Sequence, residues 1–272
     1  MDKETEKSII ENSAADALLE VISHHTVCIT SVRKDHQHGT GVAICVLGKY
    51  FIITAGHVIK NEDPTSLRFL GRSETPLVNV AKEEIGDTIE KCKFPTHPVA
   101  LPIARHFISD SGADIGILEI DPNVPTEKTF QFHKIKDINQ KVPKEGAVVL
   151  FGFPGELAQW VKHRETGKVG NLVVPWAEFT QISKPSNNIS SSFDERIHFL
   201  LDYPVSTGEF GVNPHGMSGG GVWSYKKIGK SGEIWAPSIS LIGIEHTWDK
   251  LRKLLKATRI EWILEMITAK MV

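Results

Sequence analysis

Residues 214–221 have the sequence PHGMSGGG, in which Ser218 stands among glycines. Glycine permits positive φ angles and close backbone approach. A loop of this composition can therefore expose a serine hydroxyl while backbone N–H groups converge on a neighbouring point. A Gly-rich turn without any chemical role would have the same composition. The stretch is thus a candidate nucleophile loop, and its meaning depends on what the rest of the chain supplies.

Two further segments supply the partners that a serine nucleophile needs. Residues 52–59, IITAGHVI, place His57 at the end of an apolar strand, and residues 112–118, GADIGIL, place Asp114 at the start of another. A serine attacks only when a base removes its proton, and a third group, usually a carboxylate, holds that base in one tautomer. Alone, the histidine is more typical of a structural residue and the aspartate of a strand start. Together with Ser218 they indicate a catalytic set.

Other candidate groups are weaker. Asp87 and Asp110 are not followed directly by an apolar strand, which favours Asp114 as the carboxylate. The histidines within residues 24–25 and 36–38 have no Asp, Glu or Cys at metal-ligand spacing, so a cluster of loop histidines is the preferred interpretation. We therefore expect no metal and no cofactor.

Short β-type segments fill most of the chain between residues 25 and 245. Each is a run of apolar and β-branched residues bounded by Gly, Pro or Asp, and no helical pattern separates them. They include residues 27–32, 41–46, 50–54, 115–120, 147–152, 197–201, 221–225 and 239–244. This arrangement predicts antiparallel barrels or a sandwich rather than a parallel α/β sheet. The polar, proline-containing stretch 121–146 is the candidate linker between two barrels.

Both ends of the chain have helical patterns. Apolar residues at three- and four-residue spacing predict an amphipathic helix within residues 3–22 and further helix through residues 251–267. Residues 258–261, TRIE, have the form of a capping box, which predicts that a helix restarts there.

The composition excludes several classes of protein. The 272 residues include 31 basic and 33 acidic side chains, with 40% hydrophobic residues and a net charge of −2. That balance is typical of a globular protein and gives no global attraction to nucleic acid or to an anionic membrane, so neither is an expected partner. The charged residues 1–7 do not resemble a secretory signal, and no stretch is apolar enough to span a membrane. Cys28, Cys45 and Cys92 form no CxxC pair, which predicts free thiols and a cytoplasmic location.

Several of these segments together resemble the trypsin-like (chymotrypsin-fold) serine peptidases. The resemblance runs from about residue 25 to residue 250. The matching segments are 39–44 and 54–58 (the strands leading to that family's histidine), 114–118 (its aspartate strand), 216–220 (its G-x-S-G-G loop), 241–244 (the strand beside its cleft) and 149–154 (a strand that opens the second barrel in intracellular bacterial members). No cysteine follows His57 directly or occurs after Cys92, so the chain resembles a disulfide-free, intracellular bacterial type.

The resemblance implies an all-β fold of two six-stranded antiparallel β-barrels with an N-terminal helix and a C-terminal helix. The implied boundaries are a helical extension at 1–24, a first barrel at 25–130, a second barrel at 131–248 and a C-terminal helix at 249–272. The first barrel would carry His57 and Asp114, and the second would carry Ser218. Together they would form one peptidase domain.

The same resemblance implies a role for each site residue. Ser218 would be the nucleophile, and His57 the general base and later the acid that protonates the leaving amine. Asp114 would orient His57 and stabilise its imidazolium form. The backbone N–H groups of Gly216 and Ser218 would form the oxyanion hole.

The substrate pocket departs from that of trypsin itself. Val212 stands six positions before Ser218, where trypsin has an aspartate, so a preference for Lys or Arg is not supported. His246, Thr247 and Trp248 would line the cleft, and the bulk of the tryptophan predicts a restricted pocket for a small or medium apolar side chain.

Activation also departs from the pattern of secreted members. These have an aspartate just before the serine, which pairs with a newly cut amino terminus, whereas Met217 here cannot form an ion pair. We therefore expect that cleavage near the start of the chain does not activate the protein. Either the oxyanion hole is preformed, or another element or a regulatory protein partner orders it. A large gain in activity on truncation before Val27 would contradict this expectation.

Two classes of function fit these features. The first is a serine endopeptidase that acts on a protein or peptide substrate through an acyl-enzyme intermediate. The second is a catalytically silent scaffold that keeps the barrels and binds peptide segments. The presence of all three triad candidates favours the enzyme.

Overall fold

The structure is a computed structural model that describes residues 15–32, 34–71, 99–109, 112–121, 123, 131–138, 141–162, 169–184, 193–203, 212–226 and 238–271. Within these ranges the chain is mostly β-strand. The helices are α1 (residues 15–23), α2 (Gly56–Ile59) and α3 (Ile260–Lys270). The strands are β1 (Thr26–Ser31), β2 (Lys34–Val46), β3 (Lys49–Ala55), β4 (Leu67–Leu70), β5 (Ile103–Ile108), β6 (Ile115–Ile120), β7 (His133–Lys134), β8 (Ala147–Gly152), β9 (Gln159–Lys162), β10 (Val169–Leu172), β11 (Trp176–Ser183), β12 (His198–Asp202), β13 (Gly221–Lys226), β14 (Ser238–Asp249) and β15 (Leu254–Arg259).

The first sheet brings the strands that end at residue 55 and begin at residue 115 side by side. Its order is β4-β1-β2-β3-β6-β5, with β7 added in parallel to β2. The main chains of Phe69 on β4 and Val99, just before β5, exchange two hydrogen bonds of 2.9 Å. β4 at one edge of the sheet is therefore bridged to the segment that leads into β5 at the other edge, and the sheet curls back toward a barrel. Because β3 and β6 are antiparallel partners, the end of β3 meets the start of β6, with Ala55 opposite Ile115.

The second sheet is a closed barrel. Its order is β11-β12-β15-β14-β13-β8, and closure leaves no unpaired edge. Its interior is filled by apolar side chains at alternate strand positions, including Val148 and Leu150 on β8 and Leu255 and Ala257 on β15. Alternation of this kind is what a strand with one face in a core requires. A separate hairpin is formed by β9 and β10.

The two sheets and both terminal helices share one apolar core. That core contains Phe51 from the first sheet, Trp223 from the second, Ile22 from α1 and Ile263 from α3, all of them fully buried. The predicted helix at 3–22 is present in its described part, residues 15–23, and residues 3–14 lie outside the described ranges. No helix among the described residues combines the length and apolar character needed to cross a membrane.

The predicted C-terminal helix starts later than expected. Residues 254–259 form strand β15 instead, and the prediction of helix there is wrong. Leu255 and Ala257 point into the second barrel, and their two-residue spacing suits a strand. Because β15 pairs with both β12 and β14, the barrel would stay open without it. Leu251, whose spacing from Leu254 and Leu255 suggested a helix, is exposed.

The prediction that a helix restarts at residues 258–261 is confirmed, because α3 begins at Ile260. The capping box itself is wrong, because neither side chain of the motif caps this helix. The hydroxyl of Thr258 donates instead to the carbonyl of Ala113 at 2.6 Å, and a carboxylate oxygen of Glu261 accepts from the backbone N–H of Val142 at 2.7 Å. The first of these bonds joins the second barrel to the residue just before Asp114.

The first sheet extends past the predicted boundary at residue 130. Strand β7 lies in the segment that the sequence assigned to the second barrel, yet it pairs with Ile44 and Cys45 of β2. The N–H of Ile135 then donates to the carbonyl of Cys45 at 3.0 Å, which continues the contact. Part of the predicted linker therefore belongs to the first sheet.

Candidate active site

His57 lies on the single turn of helix that follows β3. Its ring nitrogen Nδ1 lies 2.6 Å from Asp114 Oδ2, and its backbone N–H donates to Asp114 Oδ1 at 2.9 Å. A carboxylate only accepts, so Nδ1 carries the proton and Nε2 is left as the basic nitrogen. Half of the His57 side chain is exposed. The structure therefore brings His57 and Asp114 together in the geometry of a base and the group that orients it.

Asp114 is held in an unusual backbone conformation. Its φ angle is 51°, in the left-handed region that few residues other than glycine adopt. Its own carbonyl accepts from the N–H of Gly56 at 2.7 Å, and the preceding carbonyl, of Ala113, accepts from Thr258. Strain of this kind costs on the order of 1–3 kcal/mol and persists only where the surroundings fix it. Here both halves of the protein fix the residue that faces His57.

The pKa of Asp114 lies below its ordinary value. Burial acts to raise it, but hydrogen bonding from His57 and the charges of His57 and His246 act in the other direction and prevail. The carboxylate is therefore ionised at neutral pH, as a group that stabilises an imidazolium must be.

The loop that carries Ser218 is fixed by backbone hydrogen bonds on both sides. Gly219 N donates to Glu245 O at 2.7 Å, and Glu245 N donates to Gly220 O at 2.9 Å, which joins the loop to β14. The carbonyl of Ser218 itself accepts from Thr40 N on β2 at 2.9 Å. The serine thus stands at the seam between the first sheet and the second barrel.

Ser218 and His57 approach the interface between the first sheet and the second barrel from opposite sides. A Cβ added to Gly39 would lie 2.9 Å from the carbonyl oxygen of Ser218 and 2.7 Å from a methyl of Val58, the residue after His57. A Cβ added to Gly219 would lie 3.0 Å from the backbone nitrogen of Ala55. Within the described chain the Ser218 hydroxyl and the His57 ring are not hydrogen-bonded to each other. Catalytic hydrogen bonds are often long in ligand-free structures and tighten when substrate binds.

Gly219 is where the loop packs most tightly, and its replacement is a test of that packing. We expect Gly219→Ala to lower the free energy of unfolding by about 3 kcal/mol or more, because a Cβ would overlap the carbonyl of Thr40 and the hydroxyl of Thr54 at a φ of 92°. The matched control is Gly112→Ala, where φ is 73° and no atom lies within 4 Å of the added carbon. The Gly112→Ala change should lower the free energy of unfolding by only about 1 kcal/mol. Equal losses in urea unfolding would contradict this account.

One N–H of the predicted oxyanion hole, that of Gly216, belongs to the peptide bond between His215 and Gly216. The carbonyl of His215 accepts from Gly155 N at 2.7 Å, so the N–H of Gly216, at the other side of this trans peptide, points away from Gly155. The N–H of Ser218 donates to no protein acceptor in the described ranges. Gly216 has a φ of 95°, which only glycine adopts without strain.

The residues predicted to line the pocket lie in different surroundings. Val212 is 8% exposed, packs with Leu157, and its carbonyl accepts from the Tyr203 hydroxyl at 2.7 Å. Trp248 is half-buried, with its ring centroid 6.4 Å from that of Tyr203, and Thr247 is exposed. The His246 side chain is 1% exposed and faces Asp114 rather than solvent.

Two residues of the site escaped the sequence analysis. The first is buried Thr40, which forms hydrogen bonds to three segments of the site. Its hydroxyl donates to Gly216 O at 3.2 Å and accepts from Phe153 N at 2.9 Å. Its N–H donates to Ser218 O. The other is Glu245, a buried carboxyl next to the serine loop. The sequence places Thr40 only within an apolar strand segment, and nothing in the sequence around Glu245 indicates burial.

Glu245 predicts a specific pH dependence of stability. Burial, followed by the charge of Asp114, raises its pKa to about 8. The folded state then holds a proton that the unfolded state releases near its ordinary pKa of about 4.3, so this group makes the protein less stable as pH rises from about 4.3 to 8. Glu245→Gln keeps the neutral form. We expect the variant to gain about 3–5 kcal/mol over the wild type at pH 8.5 and little at pH 4.

Urea unfolding at both pH values measures this difference. Glu265→Gln, an exposed position on α3, is the matched control and should show no such pH-dependent gain. A Glu245→Gln gain that is the same at pH 4 and pH 8.5 would show that the buried carboxyl does not titrate in this range.

The comparisons with known proteins establish the fold. No protein-family model matches the chain, and no curated protein matches its sequence. Among solved structures it is similar to human heparin binding protein, with a TM-score of 0.52, 10% sequence identity, and coverage of 91% of each chain. Likeness at this identity concerns the fold alone. The chain therefore has the mostly β, two-barrel trypsin-like fold, which confirms the predicted fold class.

Proposed function

We propose that the chain is a serine endopeptidase that hydrolyses peptide bonds with Ser218, His57 and Asp114 as its catalytic triad. The observation that carries the proposal is the double hydrogen bond from residue 57 to Asp114, at 2.6 Å from the ring and 2.9 Å from the backbone. It fixes the tautomer in which Nε2 is basic, beside a loop that holds a serine. A histidine with only a structural role would not need a half-exposed ring with a basic Nε2 at the interface between the first sheet and the second barrel.

The chemistry follows from these roles. The Ser218 oxygen forms a bond to the substrate carbonyl carbon while its proton passes to His57 Nε2. The C–N bond then breaks, His57 returns the proton to the leaving amine, and an ester to Ser218 remains. Water attacks that ester by the same proton transfers in turn, which releases the acid and restores the serine. Asp114 stays ionised throughout and stabilises the imidazolium.

The developing negative charge would be bound by the amides of Gly216 and Ser218. Donors in such positions contribute about 10²–10³-fold in rate each. The bond from Gly155 to the His215 carbonyl supports a hole that exists before substrate binds. Met217 is fully buried among the apolar side chains of the second barrel, which fits activation without a new amino terminus.

The substrate would be a protein or peptide with a small or medium apolar side chain at the cleaved bond. Val212 offers no charge for a basic side chain, and the bulk of half-buried Trp248 would restrict the size of the pocket. Thr247, which is exposed, would contact the substrate main chain. His246 precedes Thr247 on β14, and its buried ring faces Asp114.

We further propose that the chain is of the disulfide-free, intracellular bacterial type, that it acts in the cytoplasm, and that a regulatory protein partner triggers it. Cys28 is a buried free thiol and Cys45 a partly buried one, and Cys92 lies outside the described residues. Burial raises the pKa of the Cys28 thiol to about 12, so it is an unreactive core residue.

The second candidate is a silent scaffold that binds peptides. Two observations favour it: the Ser218 hydroxyl and His57 are not hydrogen-bonded in the described structure, and a protein of the same fold is named for binding heparin rather than for catalysis. The two functions differ in whether the serine is activated.

A fluorophosphonate probe separates them, because it reacts with a serine only when a base activates it. We expect the full chain to be labelled and mass spectrometry of its peptides to place the adduct on Ser218. Absence of any adduct on Ser218 under conditions that label a known serine peptidase would favour the scaffold.

A further inference from the structure

A short turn holds the backbone that leads to the serine. This turn, Gly155–Leu157, is a single turn of 3₁₀ helix that follows β8. The Glu156 carboxylate accepts from the backbone N–H of Asn213 at 2.8 Å, and the N–H of Gly155 donates to the carbonyl of His215 at 2.7 Å. Because β8 is a strand of the closed barrel, the turn is a fixed support for the backbone that it contacts.

The bond to Glu156 is passed on through Asn213. The Asn213 side-chain oxygen accepts from the N–H of His215 at 3.0 Å, so both polar groups of the His215 backbone are held: the N–H by Asn213 and the carbonyl by the turn. A peptide bond is planar, and a fixed carbonyl on one side fixes the direction of the N–H on the other. The turn and Asn213 together therefore set the direction of the Gly216 N–H.

The peptide between His215 and Gly216 depends on these bonds for its orientation. Gly216 has a φ of 95°, and glycine adopts positive and negative φ angles almost equally well, so backbone sterics alone do not select one orientation. If the peptide rotated, the carbonyl of His215 would take the place of the N–H, and its negative end would repel the oxyanion that the hole must bind. Met217 is buried among apolar side chains and supplies no charge to prevent this rotation.

We infer that Glu156 is a positioning residue for the oxyanion hole: its carboxylate holds Asn213, and through it the peptide between His215 and Gly216, in the orientation that offers the Gly216 N–H to the substrate. This role rests on the proposed function, within which it names the acidic group that keeps the hole formed. A carboxylate suits the task, because a hydrogen bond from a backbone N–H to an ionised acceptor is roughly twice as strong as one between neutral groups.

Two substitutions at this exposed position test the assignment. Glu156→Ala removes the acceptor, and Glu156→Gln keeps an oxygen in its place. In the alanine variant the maximal rate of Ser218 labelling by a fluorophosphonate should fall about tenfold, as expected if the competent orientation drops to about a tenth of the population. The half-saturating probe concentration should not change. The glutamine variant should stay within about threefold of wild type. Glu145→Ala, an exposed position before β8, is the matched control and should behave as wild type.

A second readout does not depend on activity. In ¹⁵N-labelled protein the Gly216 amide signal should broaden in Glu156→Ala through exchange between the two peptide orientations on the microsecond-to-millisecond timescale, and it should stay sharp in the wild type and in Glu145→Ala. A Gly216 signal that is unchanged in a folded Glu156→Ala variant overturns the assignment and leaves the peptidase function standing. If the wild type takes no fluorophosphonate yet the Gly216 signal responds as described, Glu156 does hold this peptide and the peptidase function fails.

Discussion

Ser218→Ala is expected to reduce turnover of a fluorogenic peptide library by about 10⁵–10⁶-fold, to the level of the residual rate that binding and the oxyanion hole provide. Removal of Oγ leaves no atom to form the acyl-enzyme. The backbone bonds of the loop do not involve the hydroxyl, because Ser218 is joined to Thr40 through its carbonyl. We therefore expect the variant to fold as the wild type does. Circular dichroism and urea unfolding check that condition.

Ser224→Ala is the matched control for this change. Ser224 lies on β13, directly after the serine loop, and its hydroxyl makes only a 3.5 Å contact with the carbonyl of Ser240. The turnover of the Ser224→Ala variant should stay within about twofold of wild type, since replacement of a side chain that forms only weak hydrogen bonds has a small effect. If Ser218→Ala retained more than about a tenth of the wild-type rate, another residue would be the nucleophile.

Asp114→Asn is expected to lower kcat by about 10⁴-fold while the protein remains folded. The carboxylate now accepts from both the ring and the backbone of His57, whereas an amide has one acceptor and one donor group. If the amide oxygen keeps the backbone N–H of His57, its NH₂ group faces Nδ1. The ring must then place its proton on Nε2, where it cannot accept the proton of Ser218.

Asp121→Asn gives the comparison at the opposite end of β6. That carboxylate accepts from the backbone and side chain of Asn123 and has no contact with the site. Steady-state kinetics on both variants, with stability measured in parallel, distinguish a wrong tautomer from general loss of structure. A loss of less than about tenfold for Asp114→Asn would mean that His57 does not depend on this carboxylate.

The core of the site could be predicted from local sequence because each of its parts sits at the end of an apolar strand. His57 ends β3 and Asp114 begins β6, and the pairing of Ala55 with Ile115 in this antiparallel register makes their meeting a consequence of the sheet. The strands themselves were recognisable from their β-branched, apolar runs. What the sequence did not contain is the closure of the two sheets on each other.

The errors have physical causes that act over long distances in the chain. Leu251, Leu254 and Leu255 stand at helical spacing, but β12 and β14 required a strand between them, and tertiary pairing prevailed over the local pattern. Thr258 and Glu261 have the spacing of a capping box, yet each found a partner more than a hundred residues away. Such partners depend on how the barrels pack, which no short window of sequence records.

The burial of the polar residues at the end of β14 could not be predicted for the same reason. Glu245 and His246 follow an apolar strand directly, where charged and imidazole side chains commonly turn to solvent. Only the pairing of β14 with β15 and with the serine loop encloses them. A sequence pattern identifies which residues can do chemistry, whereas burial and neighbours decide which of them are arranged to support it.

The central claim is that Ser218, His57 and Asp114 act as one unit, and a crystal structure of the fluorophosphonate-treated protein tests it most directly. The account predicts phosphorus bonded to Ser218 Oγ, with the phosphoryl oxygen about 2.7–3.1 Å from the amides of Gly216 and Ser218. His57 should keep both bonds to Asp114 and place Nε2 within about 3.2 Å of an oxygen of the adduct. An adduct on another residue, or a His57 ring that stays out of reach of the adduct while bonded to Asp114, would contradict the account.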